Sequence, residues 1–376
     1  MAEESADLRK EIDKLMMFFK SRDCNLIDSG IELIRSMDDP SIYEVLLDAC
    51  SINNEGKFAR SSLFTGTRPA QTYLDYALLN LIAYAPEDCN LDASLKRSNI
   101  ESLSFQGIEW TELPSFFSSF PKLTNLDLSG CYSLQNLYGL VNCKNITNLS
   151  LRVDTLENID TLTSLTKLTS LLFDGDYYYE NSLENVDALT NLTNLNELYV
   201  HANNFAVKPA NEKMTTREQV AEYQDKIRIF MALRDGNTNL INDYKDSTSI
   251  DLSGCKSLKN VDGLAKCTKL TKLDLSNCES LENVDGLESC TNLTELDLSK
   301  SGIQNVDGLT KCTKLTNLIL SDCSSLQNVS GLVGCTGLKF LNLRACSRVS
   351  PKPTPLVMKN RGQVALYQEK IKNSMK

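Results

Sequence analysis

Polar and apolar positions follow a fixed unit that returns along most of the chain. Its clearest copies read Leu273-Asp-Leu275-Ser-Asn-Cys278 and Leu296-Asp-Leu298-Ser-Lys-Ser301, and each follows a stretch of the form Asn-Val-Asp-Gly-Leu-x-x-Cys-Thr-x-Leu-Thr-x-Leu. The first apolar residues of the triplets are Leu103, Leu126, Leu149, Leu171 and Leu198, then Ile250, Leu273, Leu296, Leu318 and Leu341. The steps between them are 23, 23, 22, 27, 52, 23, 23, 22 and 23 residues. The doubled step divides the units into two sets of five.

An apolar–polar–apolar triplet is a short strand with alternating faces. Its leucines point into a core, and the residues beside them line a concave surface. The Asn260, Gly263, Leu264 stretch and its copies at Asn283, Gly286, Leu287 and Asn305, Gly308, Leu309 return along the convex side. No unit buries its leucines alone, so stacking makes the core. In length and leucine pattern the unit is identified as a leucine-rich repeat. The resemblance, to intracellular bacterial repeat proteins and some plant immune-receptor repeats, covers roughly two-thirds of the chain. It implies an α/β solenoid with parallel strands on the concave face. For function it implies protein–protein interaction and names no partner.

The residues outside the repeat read as helical. Leu8, Ile12, Leu15, Met16 and Phe19 follow helical spacing. Asp39-Pro40 resembles an N-cap with proline at the first helical position, ahead of Ile42, Val45, Leu46 and Ala49. Tyr73 to Tyr84 is almost wholly apolar and stops at Ala85-Pro86, as a central helix does. Ser51 to Gln71 is polar and contains glycine, which predicts a loop. This region is expected to cap the open edge at Leu103; the alternative is an independent adaptor domain.

The long step contains a segment that recurs at the C-terminus with an offset of 144. Lys208-Pro209 matches Lys352-Pro353, Met214 matches Met358, and Arg217 matches Arg361. Gln219-Val-Ala221 matches Gln363-Val-Ala365, Tyr223-Gln224 matches Tyr367-Gln368, and Lys226-Ile227 matches Lys370-Ile371. Thr215 and Glu218 form a capping-box pattern for a helix with the apolar stripe Val220, Tyr223, Ile227, Phe230 and Met231. One module of repeats plus helix is therefore duplicated. The second copy is expected to cover the last repeat. The first either closes a first lobe or is extruded from a continuous solenoid. The expected organisation is an α-helical domain over 1–99, repeats 1–5 over 100–204, a helical cap over 205–246, repeats 6–10 over 247–350 and a second cap over 351–376.

The proline-rich stretch and helix from Cys346 to Tyr367, with Pro351, Pro353, Pro355, Gly362 and Ala365, is similar to the segment after the repeats in Roco GTPases and Ras-suppressor-like proteins. The chain holds no G-x-x-x-x-G-K-[ST] loop, since Gly56-Lys57 is followed by Phe58. The nucleotide chemistry of that family is therefore not carried over.

Thirteen cysteines invite a disulfide or zinc reading, and the register removes it. Cys131, Cys255, Cys278, Cys323 and Cys346 all lie five residues after the first strand apolar residue. Cys143, Cys267, Cys290, Cys312 and Cys335 all lie six before the next. Two columns of small buried thiols are structural, and no C-x-x-C pair supports a metal. So many free thiols indicate a reducing compartment. The start Met1-Ala-Glu-Glu-Ser-Ala-Asp has no signal-peptide character and no apolar run approaches a membrane span. The expected location is the cytoplasm, with leaderless secretion as an effector leaving no readable mark. A net charge of −10 argues against nucleic acid and favours a basic partner.

Candidate chemistry is sparse. The one histidine, His201, follows a strand and reads as a surface contact, so no cofactor, metal or catalytic residue is expected. Asp251, Asp274 and Asp297 stack between strand leucines as a strip for a cation or a basic partner, unless neighbouring Ser, Thr and Lys side chains merely solvate them. Leu172, Tyr199 and His201 face outward near Tyr177-Tyr178-Tyr179, an aromatic cluster of the kind that concentrates binding energy, unless the tyrosines pack onto the neighbouring inserted helix. Ile319, Phe340 and Arg344 form a second cluster. The expected function is a scaffold that binds a protein on its concave face. The alternatives are a secreted effector or enzyme acting through the N-terminal region, and a self-associating structural module.

Overall fold

The computed structural model describes residues 10, 13–15, 17–18, 23–37, 51–52, 58–59, 100–106, 110–113, 115–175, 185–200, 205 and 207–376. The expected helices after Asp39-Pro40 and over Tyr73–Tyr84 lie outside them. Contacts divide the chain into two compact units: 1–204 with 212–220, and 205–211 with 221–376.

The first unit carries a helix not foreseen from the sequence, α1 (Cys24–Met37), which buries Ile27, Ile31 and Ile34 at helical spacing. Within the stretch expected to be a loop, β1 (Ser51–Ile52) and β2 (Phe58–Ala59) pair antiparallel. Five parallel strands follow: β3 (Ser102–Gln106), β4 (Asn125–Gly130), β5 (Asn148–Arg152), β6 (Ser170–Asp174) and β7 (Glu197–Val200). Their register joins Leu103, Leu126, Leu149, Leu171 and Leu198 in one row, as the leucine spacing predicts. Beside β3, Phe105 packs on Trp110 and Phe117 with ring centroids 4.8 and 5.9 Å apart. All three rings are buried in the core of the first repeat.

The second unit repeats the plan with β9 (Ser249–Asp251), β10 (Lys272–Asp274), β11 (Glu295–Asp297), β12 (Asn317–Ile319) and β13 (Phe340–Asn342). Ile250, Leu273, Leu296, Leu318 and Leu341 are in register and buried. The residue four beyond each of these is left-handed: Gly254, Asn277, Lys300, Asp322 and Ala345, with φ between 56° and 69°. That conformation turns the chain and, in the first four, aims the N–H at the next repeat. Gly254 N donates to Ser276 O at 2.7 Å, Asn277 N to Ser299 O at 2.8 Å, and Asp322 N to Arg344 O at 2.8 Å. On the returning side, 3₁₀ turns such as Asp262–Lys266 and Asp285–Ser289 begin where Asn260 and Asn283 accept the N–H two residues on, both at 3.2 Å. Here repeats touch backbone to backbone. A Cβ on Gly286 would lie 2.1 Å from Val261 O, so only glycine fits.

The cysteines have a specific task. All ten repeat cysteines are free and buried. Several thiols donate to a carbonyl of the preceding repeat: Cys278 to Leu252 O at 3.2 Å, Cys290 to Leu264 O at 3.3 Å, Cys335 to Leu309 O at 3.3 Å and Cys346 to Leu320 O at 2.8 Å. A small side chain with a weak donor gives each of these buried carbonyls a second partner across the repeat boundary, beside the backbone N–H that it already accepts, as Leu252 O does from Cys255 N at 3.2 Å and Leu264 O from Cys267 N at 2.8 Å. Where the repeat at Leu296 carries Ser301 instead, its hydroxyl donates to Leu298 O at 2.7 Å.

Both copies of the duplicated segment close their sheets with the same contacts. β8 (Lys213–Met214) pairs antiparallel with β7, Met214 opposite Leu198, and β14 (Val357–Met358) pairs with β13, Met358 opposite Leu341. Each edge therefore ends in a two-residue strand. The helices α2 (Arg217–Arg234) and α4 (Arg361–Ser374) follow. The caps sit one residue beyond the Thr215/Glu218 pair expected from the sequence. Thr216 Oγ1 accepts from Gln219 N at 3.3 Å while Gln219 Oε1 accepts from Thr215 N at 2.9 Å. Asn360 and Gln363 repeat this at 3.0 and 2.9 Å. Glutamine at the third helical position serves as well as glutamate. The phenol of Tyr223 donates to Val207 O at 2.8 Å, and that of Tyr367 to Pro351 O at 2.7 Å.

α4 covers the last repeat, where Gln368 Nε2 donates to Leu332 O at 2.6 Å and Cys335 O at 3.0 Å. From Ala221 onward α2 belongs to the second unit and opens its array. The short helix α3 (Thr238–Asn242) packs on the first 3₁₀ turn with it, and a Cβ on Gly263 would meet Leu233 and Ile241 at 2.8 and 3.3 Å.

Two outcomes follow. Burial keeps a reagent from all ten repeat thiols and pushes those of Cys290 and Cys335 up to about 12, while the hydrogen bond with Cys346 holds that of Cys323 below the ordinary value, so it is burial that should leave the ten unlabelled by a thiol reagent near neutral pH until denaturant is added. Mass spectrometry of the native labelled chain checks this. Tyr367→Phe should lower stability by about 1–3 kcal/mol by leaving a carbonyl without its donor, and Tyr223→Phe should act in the same direction. Chemical denaturation of the two variants measures both.

Candidate functional site

The concave face of the second array is built by alternation. Leu273, Leu296 and Leu318 turn inward, so the residues flanking them stand in two outward rows across the strands. One row runs Ser249, Lys272, Glu295, Asn317, Phe340, and the other Asp251, Asp274, Asp297, Ile319, Asn342. The rows over β9 to β12 enclose a shallow groove of about 300 Å³. It is acidic at one end and apolar at the other.

The aspartates first serve the turn that follows each strand. Asp251 Oδ1 accepts from Ser253 N at 2.7 Å, and Asp274 and Asp297 accept from Ser276 N and Ser299 N, each at 2.8 Å. Asn342 does the same for Arg344 N at 3.0 Å. One oxygen of each carboxylate is thus committed to structure. Adjacent strands lie about 4.8 Å apart, where two carboxylates repel by roughly 1 kcal/mol in water.

Only the first aspartate meets a cation. Lys226, on α2, is 6% exposed, and its ammonium lies 3.3 Å from Asp251 Oδ1 and 3.1 Å from Ser253 Oγ. Burial works to raise the Asp251 pKa. The Lys226 charge and the hydroxyl and N–H of Ser253 outweigh it and hold the carboxyl below the ordinary aspartate value. Lys272 pairs with Glu295 at 3.1 Å, both well exposed, an interaction of little weight in water. Among the described residues no ammonium reaches Asp274 or Asp297, and no group of acids, cysteines or histidines is arranged to hold a metal.

The residues expected to bind a partner do not fall in one place. Asp251, Asp274, Asp297 and Ile319 line the groove together. Phe340 is half-buried on the next strand and Arg344 is exposed in the turn after it. Leu172 and Tyr199 lie side by side on the first sheet, and the Lys213 ammonium of the antiparallel β8 covers the Tyr199 ring, 5.1 Å from its centroid. Tyr199 is therefore engaged within the fold. Tyr177, Tyr178, Tyr179 and His201 lie outside the described residues. The sequence reading missed Lys226 as part of the site. Its one signal was a lysine set beside the apolar stripe of an otherwise core-facing helix.

Parallel strands in a single register, left-handed corners and 3₁₀ returns define the architecture. The fold is a leucine-rich repeat solenoid. No protein-family model matches the chain, and no curated protein matches its sequence. Solved structures similar to it include three from Listeria monocytogenes. Internalin C2 is 18% identical, with 70% of this chain and 89% of that chain covered and a TM-score of 0.27. The internalin InlF is 19% identical over 73% and 81%, with a TM-score of 0.29. The functional domain of InlJ, described as including a cysteine ladder, is 18% identical over 69% and 51%, with a TM-score of 0.30.

The Lys226–Asp251 pair has a consequence for titration. A carboxyl with a depressed folded pKa contributes stability above its unfolded pKa and loses it as pH falls through the folded value. Lys226→Met should therefore raise the Asp251 titration midpoint towards the ordinary aspartate value. Side-chain carboxyl NMR of the two proteins, followed from neutral to acidic pH, measures it.

Proposed function

We propose that the protein is a non-enzymatic interaction scaffold that binds a protein partner on the concave face of its second repeat array. One observation carries this reading. One outward row of β9 to β12 passes from Asp251, Asp274 and Asp297 to Ile319 within one groove, and none of these four side chains belongs to the buried core. Its ionisable groups are turn-capping carboxylates and a surface ion pair, and neither is an acid–base device. A rigid strand face with chemically distinct rows suits recognition, because little ordering is needed on binding.

The test fills the groove without touching the core. Ser276→Trp with Ser299→Trp adds bulk beside Asp274 and Asp297. Lys259→Trp with Glu282→Trp places equal bulk at exposed positions on the returning segments. The concave pair should lose at least about tenfold in affinity for the principal protein retained from native extract, while the returning-side pair keeps it and both melt as the parent does. Equal retention by the two variants overturns the concave-face reading.

A further inference from the structure

The acidic row contains its own example of a bound ligand. At the first rung, Asp251 and Ser253 together hold an ammonium, that of Lys226, at 3.3 and 3.1 Å. The second and third rungs, Asp274 with Ser276 and Asp297 with Ser299, repeat that pair. The strand register is the same and the Oδ1 to serine N–H bonds are within 0.1 Å of the first. Among the described residues no ammonium lies against either of these rungs, and Lys272, on the second strand, is paired with Glu295 at 3.1 Å. The row then changes character, because the fourth rung presents Ile319, half-buried and in register with Asp297.

Resting on the scaffold reading above, we propose that the rungs Asp274–Ser276 and Asp297–Ser299 are two ammonium sites. They take two lysines of an extended protein segment whose next outward residue is apolar and lies on Ile319. The spacing fits this occupant. In an extended chain alternate side chains on one face are about 6.8 Å apart, and four-carbon lysine stems converge from there onto rungs about 4.8 Å apart. Charge complementarity favours a cationic segment, since unbalanced carboxylates dominate the groove. The apolar fourth rung favours a peptide over a free polyamine, which has no side chain to place there.

The probe is a fluorescein-labelled peptide, Lys-Ser-Lys-Ser-Leu with blocked ends, titrated into the full chain and followed by anisotropy at low salt. Saturable binding should weaken at least about tenfold when both lysines carry Nε-acetyl groups, which remove the charge. Asp274→Asn with Asp297→Asn should cause a similar loss. Asparagine still accepts the serine N–H, as Asn342 does, so the melting temperature should hold. Ile319→Ser should weaken the leucine peptide and leave a serine-ended version unchanged.

Absence of saturable binding, equal affinity for the acetylated peptide, or an unaffected double asparagine variant overturns the proposal. So does spermidine that competes as well as the peptide, which would assign the sites to free amines. The broader reading fails separately. If the groove-filling tryptophans release the captured protein but the lysine peptide does not displace it, the ammonium sites fall and the concave interface stands.

Discussion

Each repeat is completed by its neighbour, and this mutual dependence governs the rest of the molecule. The leucine row is only the coarse part of it. Along one corner the first four left-handed residues send their N–H groups forward to the next repeat. Along both corners, thiols reach back to carbonyls of the repeat before, Cys278 beside the left-handed Asn277 and Cys290 and Cys335 on the returning side. A buried backbone acceptor without a donor costs roughly 1–3 kcal/mol, so a repeat removed from its neighbours loses both its apolar cover and its polar partners. Lys300 and Ala345 accept left-handed backbone, at roughly 1–2 kcal/mol per non-glycine residue, because the stack fixes the corner around them.

A stack of this kind must stop, and its end is where an exposed edge strand is hazardous. The chain meets the problem twice with one device. A strand returns antiparallel for two residues, a glutamine cap starts a helix, and a tyrosine from that helix ties down the proline-flanked connection. The copies differ in what the helix does next. Lys370 donates to Lys352 O at 2.9 Å, within its own cap, whereas Lys226 reaches the first aspartate of the array that follows. The same lysine is inert in one setting and part of a surface in the other.

What could be read from the sequence follows from how local the determining signal is. The register of both sheets was legible to the residue, because a leucine displaced by one would face solvent. The duplicated caps were legible as similarity, but their position was one residue off, since Thr215 with Glu218 and Thr216 with Gln219 satisfy the same pattern. The left-handed corner was not legible, because Gly254, Asn277 and Asp322, which favour it, share the column with Lys300 and Ala345, which do not. For Tyr199 the sequence leaves open an outward anchor or packing on the neighbouring segment. Its cover comes from Lys213 across an antiparallel pairing that no local pattern encodes. The aspartate row was found, but its cap role depends on a turn geometry seen only in three dimensions.

That cap role is what joins stability to recognition in the second array. One oxygen of each aspartate closes the turn, which fixes the carboxylate against the serine two residues on, and at Asp251 that same oxygen also meets the Lys226 ammonium. An asparagine at the same place, as at position 342, keeps the turn and gives up the charge. The array therefore separates two requirements at a single position. Any small oxygen acceptor builds the corner, and the choice between acid and amide sets the charge of the face. Ile319 marks the limit of this logic. It is the one position in the row with no acceptor, and it lies where the groove turns from acidic to apolar. Substitution along this row can change what the concave face presents while the core beneath it stays the same.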